Sequence, residues 1–309
     1  MSTTDYDVIV AGAGIAGLTA ALTAARLGRK TMVLSGAMLG GQLLSIQTVD
    51  GFPGFPEGIP GYDLLPIAQE QAQTAGAEFA MTTMDGLTPD GDGWKVATGE
   101  GDMSARAVIV ATGAVLKHLG VPGEEAFTGK GVSHCATCDG PFLKNKIAAV
   151  VGGGDSALQE ALTLAQFAAK TIIVNRAAEL TGQAGYRQLV AENATIEVRN
   201  DATVAEILGN GTVSAVRVVT GGATSDVPVD GVFVYVGLEP EANFLGACLT
   251  LDADGAIPTD GAMRTSLKGV CAAGMVRVGA AGRAAASAGD GSVAAISIDR
   301  YLNDGHWPS

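Results

Sequence analysis

Positive charge is what this sequence has least of. It carries 19 lysines and arginines against 32 aspartates and glutamates, a formal net charge of -13. Such a chain repels a phosphate backbone, which argues against nucleic acid as a partner. Charge of either sign is sparse at 17%, while 47% of the residues are hydrophobic. Even so, no apolar run reaches the roughly 18 residues that a membrane span needs. No basic leader precedes the first apolar strand at about Tyr6, so neither a membrane anchor nor a signal peptide is expected. Cysteine is scarce as well: Cys135, Cys138, Cys248 and Cys271. Cys271 lies in an apolar stretch and reads as a buried structural thiol. Cys248 has no partner at a meaningful spacing and reads the same way. A cytoplasmic location is the expectation, and in that reducing setting a CxxC beside βαβ units reads as redox-active.

Glycine is abundant, at 44 of 309 residues. Many glycines stand at turn and motif positions, which suits an α/β protein with buried parallel strands in two domains of ordinary size. Asp5-Tyr6-Asp7-Val8-Ile9-Val10-Ala11 reads as a strand that runs directly into Gly12-Ala13-Gly14-Ile15-Ala16-Gly17. A helix over residues 18–27 and a strand over 30–34 complete the βαβ context that GxGxxG requires. Gly12 makes the tight turn, Gly14 admits a pyrophosphate to the helix N-terminus, and Gly17 lets helix and strand pack closely. No acidic residue follows the second strand; Ser35-Gly36 stands there. Gly40-Gly41-Gln42-Leu43 and residues 49–56 read as ordered loop. A helix is expected over 63–75, started late or broken by Pro66. Hairpins follow to residue 99, then a buried strand over 107–110 that ends in Ala111-Thr112-Gly113-Ala114.

A second unit begins about 140 residues after the first. The strand over 146–151 opens into Gly152-Gly153-Gly154-Asp155-Ser156-Ala157, followed by a helix to about Ala168 and a strand over 171–174. After that strand Arg176 is the lone full positive charge. A 2′-phosphate is normally held by more than one guanidinium, so this pocket supports NADPH poorly. The C-terminal part carries a strand and turn over 269–274 and a helix over 284–302 interrupted at Gly289-Asp290-Gly291.

Between the two glycine motifs lies Ser133-His134-Cys135-Ala136-Thr137-Cys138-Asp139-Gly140. Two cysteines three apart can close a small disulfide whose opening takes two electrons. A zinc knuckle is the alternative, but it needs two further ligands that the spacing does not supply, and no metal is expected. His134 is either an exposed loop residue or an aid to thiolate formation, and Asp139 is either an acid or a turn residue.

Taken together, these motifs resemble the low-molecular-weight thioredoxin reductase-like flavoprotein disulfide oxidoreductases over nearly the whole chain. Cys135-Ala136-Thr137-Cys138-Asp139-Gly140 is the most specific match. The resemblance implies an FAD/NAD(P)-binding fold of two dinucleotide-binding, three-layer domains. A discontinuous FAD domain would span residues 1–115 and 246–309, and an inserted pyridine-nucleotide-type domain, residues 116–245, would carry the disulfide. It implies a homodimer passing electrons from a reduced nicotinamide through FAD to Cys135–Cys138 and on to thioredoxin or a similar protein, with the inserted domain rotating between steps. Cys138 would face the flavin, Cys135 would attack the partner disulfide, and Asp139 would handle the proton. Cofactor contacts would come from Gly12 to Gly17, Gly41, Gln42, Leu43, Ala111, Thr112, Gly113, Met275, Arg283 and Ala284, and in the second motif from Gly152 to Ala157 and Arg176.

The chain departs from the family's pattern at several points. Ala177 and Thr181 stand where arginines are usual, and Met275 where a ribityl-contacting aspartate is usual. Gly282-Arg283-Ala284 replaces Arg-Gln-Ala, and Gly51 replaces an asparagine. FAD is expected to be retained. The donor is expected to be NADPH, NADH, or reduced ferredoxin or flavodoxin. The alternative activities are a dithiol oxidase with oxygen as acceptor, or a flavoprotein that has lost nicotinamide use.

Overall fold

The computed structural model describes residues 4–36, 40–246 and 248–307. The chain divides into two compact units, Met1–Val115 with Glu239–Ser309, and Leu116–Leu238. Helices are α1 (Ile15–Arg26), α2 (Gly61–Thr74), α3 (Ala136–Asp139), α4 (Asp155–Leu164), α5 (Ala184–Glu192) and α6 (Ala284–Asp304).

The first unit is built on parallel strands Glu78–Ala80, Thr31–Leu34, Tyr6–Ala11 and Met103–Val110 in that spatial order, with Val270–Ala272 beside the end of Met103–Val110. The register pairs Val8 with Thr31 on one side and with Ala107 on the other. The first half of Met103–Val110 pairs instead with the antiparallel hairpin Met84–Asp90 and Gly93–Thr98. Strand residues alternate between two cores. Val8 and Val10 face the helical layer with Leu18, Ala21 and Ile298, whereas Ile9 and Ala11 face Trp94, Val96 and Leu245. That two-sided burial explains the near-continuous apolar runs in the sequence.

The second unit repeats the plan. Its parallel sheet runs Ile196–Arg199, Lys170–Val174, Ile147–Val151, Gly231–Val234, Val132–Ser133, with a three-stranded antiparallel sheet of Ala202–Asn210, Thr212–Thr220 and Ala223–Pro228. In both units the glycine-rich turn leaves the carboxyl end of a central parallel strand, the place where open α/β sheets take ligands.

Three expectations need correction. The second boundary lies at Glu239, not 246. Residues 239–245 belong to the first unit because Ala242 and Leu245 are fully buried in its core and the Glu241 N–H donates to Gly113 O at 3.0 Å. Helix α2 is neither late nor broken, since Pro66 sits inside Gly61–Thr74. Pro66 is near the N-terminus, where the bond it forfeits is to the Tyr62 carbonyl one turn earlier, and Gly61 marks the true start: a Cβ there would lie 1.7 Å from Leu43 O, so only glycine lets the helix start against that loop. Helix α6 is continuous through Gly289-Asp290-Gly291. Gly291 is there for close approach, because a Cβ would come within 2.1 Å of Ala16 O in α1.

Candidate active site

The first cradle is assembled at the carboxyl ends of Tyr6–Ala11, Met103–Val110 and Val270–Ala272. Gly12 turns at φ +107°, and a Cβ on it would lie 2.3 Å from Ala111 O. Gly17 holds α1 against this turn, since its Cβ would lie 1.9 Å from Gly12 O. Gly14, by contrast, faces open space: a Cβ there meets no protein atom within 4 Å. The first turn of α1 has no side-chain cap and no acidic residue. Its N–H groups point out of the helix end toward that space, which suits a diphosphate.

The other predicted contacts gather around the same turn. Gly41 begins a short 3₁₀ helix, Gly41–Ser45, that carries Gln42 and Leu43, and its Cβ position lies 4.0 Å from the Gly14 Cα. Ala111 and Gly113 (φ +80°) flank Thr112, whose hydroxyl donates to Glu241 O at 2.6 Å. Met275 lies half-buried in the turn Gly274–Val276. Arg283 caps α6 at its start, with Ala284 the first helical residue.

Sequence reasoning missed the residue that holds the Met275 turn. Asp290, buried in α6, accepts from the Gly274 N–H at 3.2 Å and from Arg277 Nε and Nη2 at 2.7 and 3.0 Å. The carboxylate at this corner therefore comes from the helix, not from position 275. Asp290 was in view as part of an apparent helix break; its position between two glycines was the signal.

In the second unit, the redox pair sits at the carboxyl end of Val132–Ser133. Cys135 and Cys138 form a disulfide with Cα atoms 5.3 Å apart. Cys135 is the N-cap of α3, and its Sγ accepts from the Cys138 N–H at 3.1 Å. After reduction, that N–H favours the thiolate on Cys135 over the one on Cys138. Cys138 is exposed and Cys135 half-buried. Asp139 closes the turn, its N–H donating to Cys135 O at 3.1 Å. His134 Nδ1 donates to Val234 O at 3.0 Å, so the ring is anchored rather than loose. Beneath the pair lies a second residue the sequence did not mark. Glu160 of α4, 4% exposed, accepts from the Ala136 N–H at 3.0 Å. Burial pushes its carboxyl above the usual carboxylate range, and the Ala136 N–H offsets only part of that. Tyr235 is buried beside it; desolvation first, then the Glu160 carboxylate, keep its phenol protonated.

The second glycine turn also forms a cradle. Gly152 (φ +140°) packs against Tyr235 O, and a Cβ on Gly153 would lie 2.3 Å from Asn175 Oδ1. Gly154 caps α4, whose first turn carries Asp155, Ser156 and Ala157. Asp155 accepts from the Gln183 N–H at 2.6 Å, and Gly153 O accepts from the Thr181 and Gly182 N–H groups. Asn175, 3% exposed, donates to Ala177 O, Glu179 O and Asn200 Oδ1. The loop is thus shaped by backbone bonds rather than by guanidinium groups. Arg176 is exposed, and neighbouring Arg199 is engaged with Glu197 at 2.6 Å. Cys271 is fully buried, which pushes its thiol far up; Cys248 donates to Leu245 O, and desolvation raises it as well.

The pyridine nucleotide-disulphide oxidoreductase family model matches residues 6–291. Thioredoxin reductase of Listeria innocua is 40% identical over 304 residues, covering 97% of this chain and 94% of its own length. Among solved structures, Lactococcus lactis thioredoxin reductase in its FR conformation matches with a TM-score of 0.95 and 34% identity over 97% of this chain and 100% of that one. Thioredoxin reductase of T. acidophilum gives 0.93 and 34%, over 97% and 99%. The chain belongs to the thioredoxin reductase-like flavoprotein disulfide oxidoreductases.

The cofactor of this flavoprotein is FAD, which when bound supplies two-electron chemistry between a donor and a disulfide. The first cradle fits it on its own terms. Gly14 leaves open space at the helix end, since a Cβ there meets no protein atom within 4 Å, and the bare first turn of α1 offers its N–H groups without a competing carboxylate. Gly12 to Gly17 would hold the diphosphate, with Gly41 and Gln42 alongside. Met275 and the start of α6 would supply backbone N–H groups to the rest of the cofactor, the Gly274 N–H being taken by Asp290. The loss of an aspartate at 275 costs one side-chain acceptor but leaves the turn itself fixed by Asp290 and Arg277.

Proposed function

We propose that this flavoprotein carries two electrons from a reduced donor through FAD to Cys135–Cys138 and delivers them to the disulfide of a thioredoxin-like protein. The observation that carries the reading is the Cys138 N–H bonded to Cys135 Sγ at the head of α3. It biases the reduced pair toward a Cys135 thiolate. That thiolate attacks one sulfur of the partner disulfide, and the other partner sulfur leaves as a thiol after taking a proton. Cys138 then attacks Cys135 Sγ, which re-forms the internal disulfide and releases the second partner thiol. Asp139, adjoining Cys138, handles the proton that Cys138 loses. The relatives named thioredoxin reductase support the choice of partner.

The donor side is more open by design of the loop. Arg176 is the one arginine of the loop that follows Lys170–Val174, and Asn175 organises the backbone of residues 177–179. We infer that NADPH and NADH bind without strong discrimination, and that a reduced ferredoxin or flavodoxin is the donor if neither serves. A homodimer in the cytoplasm completes the reading. Anaerobic mixing of the two-electron-reduced protein with oxidised thioredoxin tests the outlet. Rapid appearance of thioredoxin thiols supports it; no transfer to any thioredoxin, with fast oxygen uptake on a small dithiol instead, overturns it.

A further inference from the structure

We propose that His118, Glu124 and His134 form a divalent metal site of zinc type in the second unit, beside the redox pair. One ligand atom from each of the three residues lies within 4.8 Å of the other two. The chain has three histidines in all, and two of them meet here with rings edge-to-face at 6.1 Å between centroids.

The chemistry of each group suits a metal. Two imidazoles and a carboxylate are a common zinc donor set, with remaining positions filled by water. The Nδ1 of His134 donates to the Val234 carbonyl, because a carbonyl only accepts. Its other nitrogen, Nε2, therefore keeps the lone pair, and a backbone carbonyl on the far nitrogen is the usual orienting partner of a metal-bound histidine. Glu124 is 4% exposed and fixed by the Leu119 and Gly120 N–H groups at 2.9 and 2.7 Å, one on each oxygen. Each carboxylate oxygen still has a second lone pair. His118 Nδ1 stands 3.6 Å from Glu124 Oε1, beyond hydrogen-bond length. Its side chain is 80% exposed, so it is free to swing the remaining distance onto an ion. Two preset ligands and one mobile one make a site that closes on binding. Such an ion would tie the loop of residues 118–124 to the residue that precedes Cys135. This departs from the expectation, drawn from cysteine spacing, that the chain holds no metal; the ligands are two histidines and a glutamate, none of them a cysteine. The competing arrangement, with no ion, is a pair between exposed His118 and buried Glu124.

The test is calorimetric titration of the oxidised, FAD-loaded protein with Zn²⁺, so that the closed disulfide offers no thiolate. The expected result is one Zn²⁺ per chain, weakened by about tenfold or more in both His118→Ala and His134→Ala. His118 is exposed, so its replacement leaves the fold intact. A second readout is thermal: Zn²⁺ raises the melting temperature of the parent protein and not of His118→Ala. Absence of stoichiometric binding, or binding retained unchanged in both variants, overturns the proposal. Neither readout depends on electron transfer to thioredoxin.

Discussion

Replacing Asp290 by asparagine probes the corner of the first cradle that position 275 does not secure. The substitution keeps the shape of the side chain and removes its charge. In the parent, the carboxylate takes Arg277 in a two-point pair and the Gly274 N–H besides. The side chains of Arg277 and Asp290 are 16% and 11% exposed, so little water can replace either partner. Leaving a guanidinium unpaired in such a place costs about 2–4 kcal/mol, toward the lower end because Asn still accepts one bond. For a unit of this size that corresponds to a fall of roughly 5–15 °C in melting temperature. The damage should also reach the cofactor. Gly274 (φ +76°) packs on α1, its Cβ position 2.9 Å from the Ala16 Cβ, so a loosened turn loosens the cradle at Ala16. Differential scanning fluorimetry, read alongside release of free flavin fluorescence, measures both effects. A variant that melts within 1–2 °C of the parent (roughly, well under 1 kcal/mol) and keeps its flavin would refute the assignment of Asp290 as the anchor.

Other outcomes follow from the same geometry. Glu160→Gln should raise stability at neutral pH. Burial raises the Glu160 carboxyl above the usual carboxylate range, so its contribution is full below that range and is lost as pH rises through the folded value. The melting-temperature gap between variant and parent should therefore widen from pH 4.5 to 8, and a gap constant with pH would count against it. The same variant removes a negative charge from beneath Ala136 and should speed alkylation of reduced Cys135 by iodoacetamide at pH 7. Gly14→Ala and Gly17→Ala should separate ligand approach from packing. The first, at φ -71° with open space around it, should leave the apoprotein's stability unchanged and weaken FAD. The second, forced within 1.9 Å of Gly12 O, should lower stability and flavin content together. Anaerobic titrations with NADPH and NADH should bleach the flavin with affinities within about tenfold of each other, because Arg176 has no arginine beside it at 177 or 181 to select the 2′-phosphate; a hundredfold preference for NADPH would exclude that reading.

The two glycine turns and the redox pair were legible because their spacing is dictated locally. A turn that must approach a ligand and a neighbouring strand within a few residues leaves glycines at fixed offsets, and a disulfide between residues 135 and 138 needs no distant partner. The layers of the sheet were legible for the same reason, in strands such as Val8 to Ala11 that are buried on both faces. What the sequence concealed depends on partners brought together by the fold. Glu160 reads as one polar residue on an amphipathic helix until Ala136, 24 residues earlier, is found bonded to it. Asp290 between glycines reads as a break until Arg277 and Gly274 meet it. His118 and His134 show no metal spacing at all, and they converge because the Leu119–Gly120 backbone and the Val234 carbonyl fix Glu124 and His134 from separate strands and loops.

The contrast between the two cradles is electrostatic more than topological. Both turns leave the carboxyl end of a parallel strand, and both open a helix through three glycine positions. In the first, α1 begins without an acidic residue, so its N–H groups and the positive end of its dipole are left for an anion. In the second, Asp155 stands in the first turn of α4 and its carboxylate is bonded to Gln183, within the same loop that lacks Ala177 and Thr181 as arginines. A carboxylate at that place lowers the attraction for a phosphate, and only Arg176 is left in the loop to restore it. On the proposed function, the same turn used twice would bind anions with two strengths, the stronger for a cofactor that stays and the weaker for a donor that arrives and leaves.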